Sequence, residues 1–261
     1  MNFQEVESVK QSLELSSHRL VDFLPFLYQD FKELGSNTGY MIELIDEQQK
    51  TAPDKRVLDL CCGKGATLMT LAKHFNWRGI GVEVVSDFVQ QATMDAFSQR
   101  LRGQVEFVRE DISTFLDRNT ELFDVIVFPA CTNVLGDRVE SLDILSQHIK
   151  DDGFILVESD YKSHSFNIGS GLELTKNMDD VIAESKLTTA RKVIWDQKVL
   201  IDIYQRDTIR LNTRVNELKT RQPEIKRELE QFIEHRNQHL QNYKDNEVAR
   251  ASWLLVKQKL I

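Results

Sequence analysis

The run Val57-Leu58-Asp59-Leu60-Cys61-Cys62-Gly63-Lys64-Gly65-Ala66 limits the available folds more than any other stretch of this 261-residue chain. Val57, Leu58 and Leu60 form a nearly continuous apolar segment, the pattern of a parallel strand buried on both faces. Gly63 and Gly65 then allow a tight turn whose backbone a ligand can approach closely. From Ala66 to Phe75, apolar residues at Leu68, Leu71, Ala72 and Phe75 recur at helical spacing. A strand, a glycine turn and a helix N-terminus in sequence present unpaired N–H groups and a positive dipole end to an anionic ligand. Asp59, at the strand's end, can accept from an ammonium or hold the turn by hydrogen bonds.

Further strands with the same character follow. Gly79-Ile80-Gly81-Val82-Glu83 ends in a carboxylate twenty residues past Gly63. An acidic residue at that distance accepts from ribose hydroxyls in nucleoside-binding sheets, or is simply an exposed strand-end glutamate. Ser86 is expected to cap a helix reaching about Leu101, with Phe88, Val89, Ala92, Met94 and Phe97 inward. Val105–Val108 is the third strand. It leads to Asp111-Ile112, where the carboxylate either accepts from an exocyclic amine or caps a helix. Phe123–Phe128 is the fourth strand, and Phe154–Glu158 the fifth after a helix at 137–149. Strands alternating with helices predict a doubly wound α/β sheet, mainly parallel.

The dinucleotide fingerprint G-x-G-x-x-G fails here, because its third glycine falls on Leu68. Residues 55 to 160 instead resemble the core of class I S-adenosylmethionine (SAM)-dependent methyltransferases, a Rossmann-like fold. Asp59, Gly63 and Gly65 fit that superfamily's first motif, with Cys61 where its first glycine usually stands. The resemblance implies SAM as cofactor, S-adenosyl-L-homocysteine as product and seven strands. It implies that Asp59, Cys61, Gly63 and Gly65 face the methionyl part. Glu83 would take the ribose and Asp111 the adenine amine, with Val84 and Ile112 flanking the ring. Phe128, Pro129 and Ala130 would line the sulfonium end. Tyr40, at the start of a helix, is either a wall of this site or a packed residue.

Outside the core, residues 1–52 read as an N-terminal helical cap, with Pro25 dividing the first helical stretch and Gly35 as a C-cap. The core proper is expected at 53–198, with Val193-Ile194-Trp195 as a sixth strand. Residues 199–248 carry two apolar stripes at helical period and read as an antiparallel helical pair inserted before the last strand, 249–261. Such stripes suggest a lid or a homodimer contact.

Composition narrows the function. A formal net charge of −8 argues against a nucleic-acid footprint. The inserted pair is nearly neutral, with ten Lys/Arg against eight Asp/Glu from Arg206 to Arg250. No apolar run reaches membrane length, and the first ten residues lack the pattern of a secretory leader. Three cysteines, two of them adjacent, offer neither a disulfide framework nor zinc spacing, so a cytoplasmic setting without metal is expected. The preferred acceptor is a small molecule; RNA or protein docked on the insertion, or a SAM sensor without turnover, are the alternatives. Asp160, Tyr161 and His164 are candidates for acid–base or acceptor-binding roles, against a plain polar loop. Cys131 reads as a small packed residue in preference to a covalent nucleophile, and His148 as a surface residue.

Overall fold

A computed structural model describes residues 1–48, 50–129, 134–162 and 177–258. Ala130, Cys131 and His164 lie outside the described residues.

The chain opens with α1 (Phe3–Ser12), whose Asn2 and Glu5 cap it reciprocally. A 3₁₀ turn over His18–Phe23 and the short α2 (Leu24–Leu27) follow. Pro25 sits in the first turn of α2, where its missing N–H costs nothing, so the expected kinked helix is already broken at residues 13–17. Gly35 lies well beyond α2 in an irregular segment with φ +100° and caps no helix. Next come α3 (Thr38–Glu47), β1 (Arg56–Leu60), α4 (Ala66–Phe75), β2 (Arg78–Glu83) and α5 (Ser86–Ser98). After these stand β3 (Val105–Arg109), α6 (Ile112–Arg118), β4 (Phe123–Pro129), α7 (Arg138–His148), β5 (Ile149–Lys162) and α8 (Met178–Glu184). The chain closes with β6 (Leu187–Ile194), α9 (Gln197–Arg221), α10 (Lys226–Lys244) and β7 (Val248–Lys257).

The seven strands form one sheet in the order β3-β2-β1-β4-β5-β7-β6, and the pairings of β1 with β2, β1 with β4, β2 with β3 and β4 with β5 are parallel. At the other edge, Gln258 N donates to Lys186 O and Trp195 N to Arg250 O, so β6 and β7 run antiparallel. The order reverses between β1 and β4, which makes the carboxyl end of β1 the switch point where open α/β sheets bind ligands. Val57, Leu58 and Leu60 are wholly buried, as strands covered on both faces require.

Two local expectations fail for identifiable reasons. Val85, not Ser86, occupies the N-cap of α5, and no side chain caps it. Met94 and Phe97 are 60% and 68% exposed, because α5 buries only the narrow stripe Phe88, Ala92 and Ala96.

The described residues divide into two compact units. The core unit comprises Lys32–Ser159, Thr175–Val193 and Ala251–Ile261. Its interior gathers Met41, Leu44 and Ile45 of α3 with Leu68, Leu71 and Phe75 of α4 around Trp77. The strands contribute Val57, Val125, Val127, Phe154, Leu156 and Leu254 to the same cluster. The helical unit comprises Met1–Phe31, Asp160–Leu174 and Ile194–Arg250. There α9 packs on α10 through Leu211, Val215, Leu218, Leu229 and Phe232, all buried, and α2 packs on α9. Arg214 binds Asp30 through two nitrogens at 2.6 and 2.8 Å. The apolar stripes that suggested a dimer surface are therefore covered within the chain by the N-terminal segment. Among the described residues, no helix is long and apolar enough to cross a membrane.

Candidate cofactor site

The turn after β1 is built by backbone that only certain residues accept. Cys61, Gly63 and Gly65 have φ of 54°, 53° and 72°. Cys61 therefore holds a left-handed conformation that costs a non-glycine residue roughly 1–2 kcal/mol, at the position where the superfamily resemblance expects glycine. Cys62 N donates to Val82 O at 3.1 Å and Gly65 N to Cys62 O at 2.8 Å, which closes the turn. Gly65 then occupies the N-cap of α4 with no side-chain cap. The first N–H groups of α4 consequently remain available to a ligand.

Gly65 also has a packing reason. An added Cβ there would lie 2.3 Å from the Phe107 ring, and one at Gly63 would lie 2.8 Å from Leu34. Gly65→Ala should destabilise the protein by about 3 kcal/mol, from left-handed strain plus overpacking. A thermal melt measures this, and Phe107→Ala on top of it should recover part of the loss. Equal stability of Gly65→Ala and parent would contradict the described turn.

Glu83 ends β2 beside this turn and is 8% exposed. Its Oε2 accepts from Gly63 N at 3.0 Å, and its Oε1 accepts from Val84 N and Val85 N at 2.9 Å each. Burial raises its pKa, and these three N–H groups oppose the rise. The carboxylate thus ties the β2 end to the glycine turn while keeping acceptor capacity in reserve.

Asp59 is buried to 1% exposure, and among the described residues the Leu68 N–H is the one donor that acts on its carboxylate, from outside ordinary hydrogen-bond geometry. Burial pushes its carboxyl up to about 8; the polarity of the nearby Leu68 N–H opposes this and the Glu83 charge adds to it. A buried carboxyl so short of donors at a sheet's switch point keeps most of its acceptor capacity unused.

Other expected residues are placed as follows. Asp111 is the N-cap of α6 and accepts from Thr114 N at 3.1 Å, so part of its acceptor capacity serves the helix. Arg109 Nε donates to Val84 O at 3.3 Å, and Ile112 and Phe128 are buried. Pro129 and Tyr40 are half-buried, the latter in the first turn of α3. Asp59, Cys61, Gly63, Gly65, Glu83, Val84, Asp111, Ile112, Phe128, Pro129 and Tyr40 all belong to the core unit, whereas Asp160 and Tyr161 belong to the helical unit. His148 is half-buried, which lowers its pKa.

Two features escaped the sequence reading. Glu158 of β5 is buried and accepts from the Ser252 hydroxyl at 2.9 Å and Asn37 N at 3.3 Å. Its signal was the one available for Glu83: a carboxylate closing an otherwise apolar strand. The second is a polar cluster around Asp160. His239 is 4% exposed, with Nε2 3.1 Å from Asp160 Oδ2 and Nδ1 3.4 Å from Glu14 Oε2. Tyr243 donates to Asp160 Oδ2 at 2.7 Å, and Arg250 Nε lies 3.2 Å from Asp160 Oδ1. Burial alone would raise the Asp160 pKa, but Arg250, His239 and Tyr243 together hold it below the usual range. Asp160 is therefore engaged as an ionic hub.

A family model described as a methyltransferase domain matches residues 51–232. An uncharacterised Escherichia coli (strain K12) protein, YjhP, is 28% identical over 109 residues, covering 42% of this chain and 43% of that protein. The match thus spans less than half the length of that curated relative. The X-ray structure of YjhP superposes with a TM-score of 0.73 at 17% identity, over 92% of this chain and all of that one. A SAM-dependent methyltransferase from Thiobacillus denitrificans, in complex with S-adenosyl-L-homocysteine, gives 0.73 at 16% identity, over 90% of this chain and 98% of its own. Coclaurine N-methyltransferase, bound to N-methylheliamine and S-adenosyl-L-homocysteine, gives 0.65 at 16% identity, over 96% and 88%.

Proposed function

The chain belongs to the methyltransferase-domain family, and from that premise we propose that it transfers the methyl group of SAM to a small-molecule acceptor, leaving S-adenosyl-L-homocysteine. The observation that carries the cofactor reading is Asp59, a buried carboxyl short of donors among the described residues, beside a left-handed glycine turn and an uncapped helix start. The cofactor's amino-acid end offers the complementary groups: an ammonium for Asp59, and a carboxylate for the N–H groups that open α4.

In this reading Cys61, Gly63 and Gly65 present backbone to the methionyl part. Glu83 uses its remaining lone pairs for the ribose hydroxyls. Asp111 accepts from the adenine amine between Val84 and Ile112, and Phe128, Pro129 and Tyr40 enclose the sulfonium end. When bound, SAM supplies an electrophilic methyl on a sulfonium. The protein's part is alignment and exclusion of water, effects that can be worth several kcal/mol. A small-molecule acceptor suits the acidic net charge, and the similarly folded coclaurine enzyme carries a small amine ligand.

Incubation with methyl-labelled SAM and a metabolite extract tests this. Label should enter the low-molecular-weight fraction. Label only in RNA or protein would overturn the acceptor class, and SAM binding without transfer would indicate a sensor. Within the site, Glu83→Gln should weaken SAM binding about tenfold or more, since it puts donors where the turn N–H groups need acceptors. Asp111→Ala should also cost about 1 kcal/mol of stability through the lost cap. Calorimetry and melting of the two variants check both values; parent-like SAM affinity in Glu83→Gln would contradict the ribose assignment.

A further inference from the structure

The polar cluster around Asp160 in the helical unit extends to two donors left unpartnered among the described residues. Both ring nitrogens of His239 face carboxylates, Glu14 at 3.4 Å and Asp160 at 3.1 Å. Ionised carboxylates only accept, so the ring donates from both nitrogens and is a cation; its pKa is accordingly raised to about 9. Arg250 is a second cation, 3.2 Å from Asp160. Arg236 is a third. Its guanidinium lies 4.0 Å from the centre of the Tyr204 ring, and among the described residues it has no carboxylate within ion-pair distance. Glu14 and Asp207 act on it electrostatically from beyond ion-pair distance, and Asp207 is also paired with Arg206 and Arg210.

Two donors of this cluster are orphaned. Among the described residues Arg236 Nε and the Tyr204 hydroxyl are both enclosed and both lack an acceptor, and Tyr204 is only 7% exposed. Tyr204 stands against His239 and Tyr243, with ring centroids 5.1 Å away in each case. An enclosed N–H of a guanidinium over the Tyr204 ring, together with that tyrosine's own unpartnered O–H, asks for an oxyanion on a small organic molecule.

We propose that Arg236 and Tyr204 form a receptor for a small carboxylate-bearing ligand within the helical unit. Two sources could supply it: the methyl acceptor itself, or a carboxylate that binds without being methylated. Only the first rests on the function proposed above.

The test uses the full-length protein, with acetate, glycolate and benzoate as probes and their neutral amides as controls, in thermal melts followed by calorimetry. Carboxylates should raise the melting midpoint and the amides should not. Tyr204→Phe keeps the ring and removes only the unpartnered hydroxyl. It should leave the ligand-free midpoint unchanged or higher while weakening carboxylate binding about tenfold, and Arg236→Met should abolish that binding. SAM binding should persist in both variants, which separates failure of this site from failure of the cofactor reading. Methyl label from SAM that enters an anionic product, and is lost in Tyr204→Phe, identifies the acceptor. Carboxylate binding without such label identifies the second source, and the receptor stands. Equal responses to carboxylates and amides, or a lowered ligand-free midpoint in Tyr204→Phe with carboxylate binding intact, would overturn the proposal.

Discussion

Asp59→Asn is expected to raise the melting temperature of the SAM-free protein at pH 7 and to lower its SAM affinity at least a hundredfold. Both effects come from the same buried group. In the folded chain the Asp59 carboxyl is pushed up to about 8 from an ordinary 3.8. The folded state therefore holds a proton that the unfolded chain has released across that window. Its stability contribution is fully present below about 3.8 and is lost progressively as pH rises toward 8. An asparagine never ionises and escapes that loss, worth about 2–4 kcal/mol near neutrality. With SAM, the same amide leaves a bound ammonium facing a neutral group, which accounts for the weakened binding. Melting curves from pH 5 to 9 should show the variant overtaking the parent as pH rises. A variant less stable than the parent at pH 7 would mean that Asp59 is already satisfied inside the fold.

The second large effect concerns the cluster in the helical unit. Asp160→Ala should cost about 3–5 kcal/mol, because it strands His239 and Arg250 as buried cations. His239 sets the pH window. Burial depresses its pKa, but Asp160 and Glu14 together raise it from 6.5 to about 9. A raised folded pKa gives stability that is fully present below 6.5 and lost as pH climbs through about 9. The parent should therefore lose stability between pH 7 and 10 by more than His239→Gln does, and denaturant melts at a few pH values measure the difference. Parallel curves for the two would show that the imidazole carries no charge in the fold. Asp160 thus organises the helical unit, its oxygens serving Tyr243, His239 and Arg250.

The central sheet was legible in the sequence because its strands are covered on both faces and read as apolar runs ended by Asp59, Glu83 and Glu158. The glycine turn was legible because Gly63 and Gly65 need left-handed backbone. The helical pair announced itself through its apolar period, but the period does not say what covers a stripe; here the two helices pack on each other and on the N-terminal segment. The burial of Met94 and Phe97 was misjudged for the complementary reason, since a helix can carry apolar residues that its neighbours never reach. The cluster of Glu14, Asp160, His239, Tyr243 and Arg250 was unreadable. Its members lie up to 225 positions apart in hydrogen-bonded pairs, and no local pattern marks them. Asp111 remained ambiguous because an N-cap and an amine acceptor require the same residue type in the same place.

The most direct test of the cofactor site is a calorimetric titration of the full-length protein with SAM at pH 7 in two buffers of different ionisation enthalpy. One SAM should bind per chain with the release of about one proton, because Asp59 must give up its proton to receive the ammonium. Binding without proton release, no binding at all, or preferential binding of NAD would contradict this assignment of the site.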